Sequence, residues 1–431
     1  MHFQKRWFFI AVLLVQSVSA QEVIKTMTYN VLNFPTAPPS NRTEILRDIL
    51  LTYEPDLLMI NELETEAGGE LILNESILPE NPDFARSEFV AIQSDPETDN
   101  PLQNMVFYNT RKLILENEEI YKTTVRDISR FTFLLNTNEQ SDNPIRLEVF
   151  VAHLKSSDGL PNKQKRLEMV EVFMDALENV YADDETHEPI APDSYVIFAG
   201  DMNFYTSSEP GYQKLRNDDE SSLRTFEDVL NPNNELQNWN GNITDWHIMH
   251  TQATRVNQFG GYGAYSGLDD RFDFVFFSEN LFDNPELEYV ENSYAAYGNN
   301  GNCHDKDIND PDCDGEYSLE LRDNLWYMSD HLPVVMELQT EQTFLDTPNY
   351  SQEELITFPY GNTPSHTLTI FVDESIASKV SFELYNVLGQ RVSAVLNKNK
   401  TTYTIDVANL KNGIYFVQTS IGKSYKFIKI D

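Results

Sequence analysis

Tyr195-Val196-Ile197-Phe198-Ala199-Gly200-Asp201-Met202-Asn203 sets the terms for reading the rest of the chain. The first five residues are apolar or β-branched, the pattern of a buried strand, and Gly200 ends the run. A carboxylate follows at once, and a carboxamide stands two residues later. Asp201 offers acceptors alone, whereas Asn203 offers donors and an acceptor. Projected from a strand end into a cleft, the pair can hold a water and a phosphate oxygen in fixed relation. Taken alone, Gly-Asp-x-Asn is equally at home in a turn, because both polar residues favour turns.

Five further segments repeat this arrangement of an apolar strand with a polar end. Ile24 to Asn33 delivers Asn30 and Asn33, and Pro55 to Glu64 sets Glu62 just past Leu57-Leu58-Met59-Ile60. Ile145 to Ser156 alternates as far as His153. Arg271 to Ser278 places Asp273 among aromatics, and Asp330-His331 stands directly before Leu332-Pro333-Val334-Val335. Core packing has no use for buried Asp, Glu and His without partners. The polar ends are therefore expected to share one site.

In this order, over roughly residues 22–340, these segments resemble the endonuclease/exonuclease/phosphatase superfamily. Deoxyribonuclease I, secreted bacterial nucleases, sphingomyelinases and inositol polyphosphate phosphatases belong to it. The resemblance implies an α/β fold, a four-layer α-β-β-α sandwich of two mixed β-sheets flanked by helices, with the site at one end. It also implies roles. Glu62, helped by Asn30 and Asp330, would hold Mg2+ or Mn2+, hard cations that take one or two carboxylates with waters and phosphate oxygens. His331 would act as general base, its tautomer fixed by Asp273. Asp201 and Asn203 would orient the water and the phosphoryl oxygens, with His153 donating from the opposite side. Arg126 corresponds to a phosphate-binding arginine of the deoxyribonuclease branch; its other reading is a surface ion pair with Asp127. One departure concerns Pro101 to Tyr108, which lacks the acid that orients the histidine equivalent to His153. That leaves the general acid open and makes Asn104 a candidate for phosphate contact.

A chain of 431 residues is expected to hold more than one domain. Lys5-Arg6, the apolar run from Trp7 to Val15, and Val18-Ser19-Ala20 before Gln21 read as a signal peptide over residues 1–20. That run, like every later one, falls short of the ~20 apolar residues of a membrane-spanning helix. The expected product is a monomer, secreted or held at the cell surface. Cys303 and Cys313 close a short loop suited to an oxidising compartment and are expected to form a disulfide. The residues between them are rich in oxygen ligands but fit no EF-hand, so a structural Ca2+ and a solvated acidic loop are equally compatible.

Composition shifts after Leu338. The catalytic region is expected over residues 21–340, a polar linker over 341–367, and a small all-β sandwich over 368–431. Tyr385-Asn386-Val387-Leu388-Gly389-Gln390, Leu410-Lys411-Asn412-Gly413-Ile414-Tyr415 and the Lys-rich last strand resemble the C-terminal sorting domain of type IX secretion. This implies the type IX secretion machinery as a partner; an accessory carbohydrate- or surface-binding β-domain is the rival. Of 31 Lys and Arg and 69 Asp and Glu, residues 341–431 hold 8 and 9, leaving a balance of −37 on the remainder. Such a field repels polyanions, and the chain lacks the basic stripe of a tight nucleic-acid binder.

Helices are expected from Ser40 or Asn41 to Tyr53 and from Asn162 to Tyr181, with an active-site loop over Asn231–Leu268. Within that loop, Met249 to Arg255, including His250, either reaches substrate or faces solvent. Three functions remain in view: a metal-dependent phosphodiesterase, foremost a nuclease that binds nucleic acid weakly; a hydrolase of phospholipid head groups or small phosphate esters; and a non-catalytic surface protein retaining the fold.

Overall fold

The computed structural model describes residues 21–430 apart from 96–100, 181–186, 217–224, 283, 346–355, 359–363, 374–375, 378, 388 and 421–423. The expected signal peptide lies outside the described residues. Strands β1 (Glu22–Phe34), β2 (Leu57–Leu63), β3 (Phe84–Arg86) and β4 (Gln103–Asn109) begin a first sheet. A second comprises β5 (Leu113–Tyr121), β6 (Ile128–Leu135), β7 (Arg146–His153), β8 (Tyr195–Asp201), β9 (Phe226–Glu227) and β10 (Asp273–Ser278). The chain then returns to the first with β11 (Glu288–Tyr289), β12 (Ala295–Ala296) and β13 (Val334–Thr340). Strand order is β11-β13-β1-β2-β4-β3, with β12 also on β13, in one sheet and β5-β6-β7-β8-β10-β9 in the other.

Each sheet has one parallel pair at its centre, β1 with β2 and β7 with β8, among antiparallel neighbours. Parallel strands need a crossover, usually a helix. Helix α1 (Arg42–Tyr53) supplies the first, and the second crosses over through α3 (Leu160–Leu177), after the short α2 (Glu66–Leu71). Helices α4 (Pro210–Arg216) and α5 (Leu319–Met328) complete the outer layers. The bounds of α3 differ from the expected 162–181. Pro161, with its pre-set φ, sits in the first turn, and Asn179 ends the run in a left-handed conformation at φ 56°. At α1, Asn41 holds the cap position without a side-chain hydrogen bond.

Alternation along the strands sorts side chains into three apolar layers. Ile24, Leu57, Met59, Val106, Val149, Ile197 and Val275 meet between the sheets. Met27, Tyr29, Leu58 and Ile60 pack on Leu46 and Ile49 of α1 and on Leu321 and Leu325 of α5. Phe150, Val196, Phe198 and Phe274 pack on Met169, Val170 and Phe173 of α3. These contacts make the four-layer sandwich.

The C-terminal strands form two four-stranded sheets around their own core of Leu368, Ile370, Tyr403, Ile405, Val417 and Phe427. Strand pairing there begins at Ile356–Thr357, inside the stretch expected to be linker, because Ile356 is buried in that core and pairs with Val372.

Two buried devices hold the second sheet in place. Arg271 makes a bidentate pair with Asp228, at 2.8 and 2.9 Å, just ahead of β10, and Tyr212 donates to the same carboxylate at 3.0 Å. Gly200, at φ +133°, lies against β7; a Cβ there would stand 2.0 Å from the Ala152 carbonyl oxygen and 2.9 Å from Asn61 Oδ1. Gly200→Ala is accordingly expected to cost about 3 kcal/mol or more, measured by denaturant unfolding. Burial works against charge on Asp228, yet Arg271 and the hydrogen bonds hold its carboxyl below the usual range. A depressed folded pKa stabilises above the unfolded value of about 3.9 and is lost as pH falls through the folded one. Asp228→Asn should therefore cost roughly 3–5 kcal/mol at neutral pH and flatten the acid limb of a stability–pH series.

Candidate active site

The inward-facing series that build the inter-sheet core turn polar at one end. On β7, Leu147, Val149 and Val151 lead to His153; on β8, Tyr195, Ile197 and Ala199 lead to Asp201; on β10, Phe277 and Val275 lead back to Asp273. The same alternation brings Asn30 inward on β1 and Asn61 on β2. Register then sets these residues side by side. His153 and Asp273 are the Cα partners of Asp201 on either flank, and Asn30 is the partner of Asn61.

Glu62 breaks the pattern, since alternation would send it toward the helices. Two irregularities redirect it: the register of β2 on β4 shifts between Ile60 and Leu63, and Glu62 itself has φ +64°. A left-handed glutamate is uncommon and strained, a feature typical of residues aimed at a site.

Asp201 is the hub. Asn30 Nδ2 donates to Asp201 Oδ2 at 3.2 Å and to Glu62 Oε1 at 2.9 Å, while Asn203 Nδ2 donates to Asp201 Oδ1 at 2.7 Å. His153 Nε2 lies 3.3 Å from Asp201 Oδ2, and its Nδ1 faces Glu62 Oε1 at 3.9 Å. His331 Nδ1 stands 2.7 Å from Asp273 Oδ2, and its Nε2 is 3.7 Å from Asp201 Oδ2. Ser329 donates to the Asn30 carbonyl at 2.6 Å and accepts from the His331 amide at 3.1 Å, tying this segment to β1. Asp330 Oδ2 accepts from Ala264 N at 2.6 Å and Gln252 Nε2 at 3.3 Å. Glu62, Arg126, His153, Asp201, Asn203, Asp330 and His331 line one cleft of about 380 Å³.

Several expectations land elsewhere. Asn104 does not line this cleft; its Nδ2 is spent on Val151 O, Asp127 O and Ser129 Oγ at 3.0–3.3 Å, and its Oδ1 accepts from Asn61. The phosphate contact expected of it falls away, because inward alternation sets it, half-buried, beneath the site as a strut. Asp127 accepts from the Gln93 and Ser94 amides at 2.7 and 2.8 Å, leaving Arg126 to face the cleft with one bond, to Leu154 O at 3.1 Å. Asn30 donates toward Glu62 here, and its oxygen accepts from Leu32 N, so it orients that carboxylate and does not present an oxygen to the cleft.

Cys303 and Cys313 form the disulfide. Within their loop, Asp307 Oδ1 accepts from Val256 N and Trp326 Nε1 at 2.9 and 2.8 Å, and Asp310 lies near Lys306, so these oxygens serve loop closure. Of Met249 to Arg255, Gln252 alone lines the cleft. His250 bonds to the Trp239 carbonyl at 2.7 Å, and Arg255 is buried on Phe259 and Trp326.

Charge in the cleft is heavily negative. Burial, against the pull of His331 and Arg126 and with the push of Asp273 and Glu62, lifts the Asp201 carboxyl to about 7. Burial and Asp330 also raise Glu62. Burial opposes charge on His331, but Asp273, Asp330 and Asp201 outweigh it and hold its pKa well above the ordinary range. Burial, aided by Arg126, His331 and Lys155, keeps His153 well below it and so neutral.

That neutral imidazole gives a test of fit for a cation. With Nε2 toward Asp201, the proton belongs on Nε2, and Nδ1 presents its lone pair, buried and without a partner, to the Glu62 carboxylate. Two acceptors facing each other call for a positive centre between them. One oxygen each of Glu62 and Asp201 and one nitrogen of His153 lie within 4.8 Å of one another, the only such His, Cys, Asp and Glu group among the described residues. A divalent cation fits this donor set.

Asn61 escaped the sequence reading, and Gln252 was not singled out within Met249 to Arg255. Asn61 donates to Asn104 Oδ1 and Ala152 O and accepts from Asp201 N at 3.2 Å, and the inward parity of Leu57 and Met59 could have found it. Gln252 carried no such signal, since it sits in irregular chain.

Solved structures similar in fold include a humanized D. rerio TDP2, at 17% identity and a TM-score of 0.45, covering 74% of this chain and 99% of that one. The catalytic domain of human Nocturnin follows at 14% and 0.43, covering 74% and 97%. A mannosyl-6-phosphatase of Bacteroides thetaiotaomicron stands at 13% and 0.42, covering 73% and 99%. No curated protein matches. Residues 360–430 match the Secretion system C-terminal sorting domain, which directs the protein to the cell surface or beyond. Residues 27–331 match the Endonuclease/Exonuclease/phosphatase family, and the chain belongs to it.

Proposed function

We propose that this protein is a divalent-cation-dependent phosphodiesterase exported from the cell, foremost a nuclease acting on extracellular nucleic acid. The observation that carries the reading is the gathering of Glu62, His153, Asp201 and the His331–Asp273 pair around one cleft. Glu62, His153 and Asp201 would hold Mg2+ or Mn2+, which supplies charge neutralisation to the phosphoryl group. In its neutral form His331 takes the proton of the attacking water on Nε2, while Asp273 holds the Nδ1 proton and steadies the imidazolium whose charge the surrounding carboxylates already favour. Asn203 and Asn30 fix the Asp201 carboxylate, and Asn30 also steadies Glu62. Arg126 presents its free N–H groups to a phosphoryl oxygen. A neutral His153 suits cation holding better than proton donation to the leaving oxygen.

A second reading, a small phosphate ester as substrate, is favoured by the cations available. Arg126 is the one Lys or Arg lining the cleft among the described residues, whereas polyanion binders spread several along a track. The lipid version gains less, because a lipid hydrolase needs exposed loop aromatics for membrane contact and Trp239, in the 231–268 loop, is fully buried with its Nε1 bonded to the Phe204 carbonyl.

Mature protein incubated with DNA, RNA, sphingomyelin and bis-nitrophenyl phosphate, in Mg2+, Mn2+ or chelator, tests both readings. Turnover should need the metal and fall at least ~100-fold in His331→Ala. Equal turnover by the variant removes His331 from the mechanism, and no turnover of any phosphoester removes the enzyme.

A further inference from the structure

We infer that Gln252 is a positioning residue for His331, its carboxamide guarding the imidazole nitrogen that must receive the nucleophilic water. The inference deepens the phosphodiesterase reading and rests on it. Gln252 Nε2 lies 2.5 Å from His331 Nε2 and 3.3 Å from Asp330 Oδ2, the carboxamide's only hydrogen bonds among the described residues. Asn30 Nδ2 and Asp201 Oδ2 approach the same imidazole nitrogen less closely, at 3.4 and 3.7 Å.

The chemistry of the contact is one-sided. Asp273 engages His331 Nδ1 at 2.7 Å, so a ring proton belongs there, and in the neutral form that serves as base Nε2 carries the lone pair. An amide nitrogen has two hydrogens and accepts none. One hydrogen therefore enters the His331 lone pair and the other goes to Asp330. The contact selects the tautomer that a general base needs and fixes the ring between two partners on opposite edges.

The root of the side chain is rigid. Gln252 N donates to Asp270 O at 2.9 Å, and its carbonyl accepts from Asp269 N and Asp270 N at 3.0 and 2.7 Å. Leu332 N to Thr251 O at 2.7 Å and Thr254 N to Asp330 O at 3.0 Å lace the segment to the chain that carries His331. A water bound to Nε2 takes the place of the amide hydrogen, so the amide is the stand-in for the nucleophile.

Gln252→Met keeps length and bulk and removes both N–H groups. In the mature full chain it should lower kcat on bis-nitrophenyl phosphate on the order of 10–100-fold and leave KM roughly unchanged. Unchanged kcat, or a loss confined to KM, overturns the inference. An arm independent of turnover uses 15N-labelled protein at a pH high enough for His331 to be neutral, with the Gln252 side-chain amide assigned by its absence in Gln252→Met. That amide should be displaced from the ordinary glutamine region and return to it in His331→Ala. An ordinary position in the wild type, unmoved by His331→Ala, overturns the contact. A displaced amide in a protein that turns over no phosphoester leaves the contact standing and sinks the phosphodiesterase reading alone.

Discussion

Everything at the active end of this molecule depends on keeping Asp201 where a carboxylate is least comfortable. It is 3% exposed, with Glu62 and Asp273 close enough to raise its pKa. Desolvation and like charge both disfavour its ionised form. What offsets them is a shell of partners supplied by three other strands and a loop: Asn61 Oδ1 accepts from the Asp201 backbone amide, and Asn30, Asn203 and His153 donate around its oxygens. Removing any of these partners leaves a buried polar group short of a hydrogen bond, costly in a low-dielectric interior. The polar end of the core is thus a single network, and its geometry is only as firm as the sheets that carry it.

The sheets are firm for a topological reason. Each centres on a parallel pair joined through a helix, and the carboxyl ends of both pairs open on the same edge of the sandwich. In open α/β sheets, that is where ligand sites form. Asn30 and Glu62 come from one pair, His153 and Asp201 from the other, and the antiparallel neighbours β10 and β13 bring Asp273 and Asp330-His331 to the same edge from the opposite direction. No loop has to search for its place.

That regularity is also why so much was legible in the sequence. Strand-end residues such as Asp201, His153 and Asp273 inherit their direction from alternation, and alternation is written in the apolar residues before them. Legibility stops where direction is not periodic. Glu62 was recognised through resemblance, but its inward aim arises from a register shift and a left-handed backbone that no hydropathy pattern announces. Asn104 was misplaced for the complementary reason: identity and parity were readable, but depth below the cleft depends on which neighbours take up its carboxamide. Gln252 lies in irregular chain held by hydrogen bonds to Asp269 and Asp270, so neither its reach nor its partner could be read in advance.

The acidity of the chain bears on substrate through the cleft more than through the surface. At physiological ionic strength a distant charge is screened within about 8 Å, so much of the excess of −37 outside residues 341–431 acts only on solubility and slow approach. Among the described residues that line the cleft, Glu62, Asp201 and Asp330 face a single Arg126 and two imidazoles, of which burial keeps one neutral. A phosphate entering that field meets repulsion until the carboxylates are compensated. On the proposed function, cation before phosphate is therefore the order that the electrostatics favour, and the same acidic lining that repels a bare polyanion would gather the cation that receives one phosphoryl group.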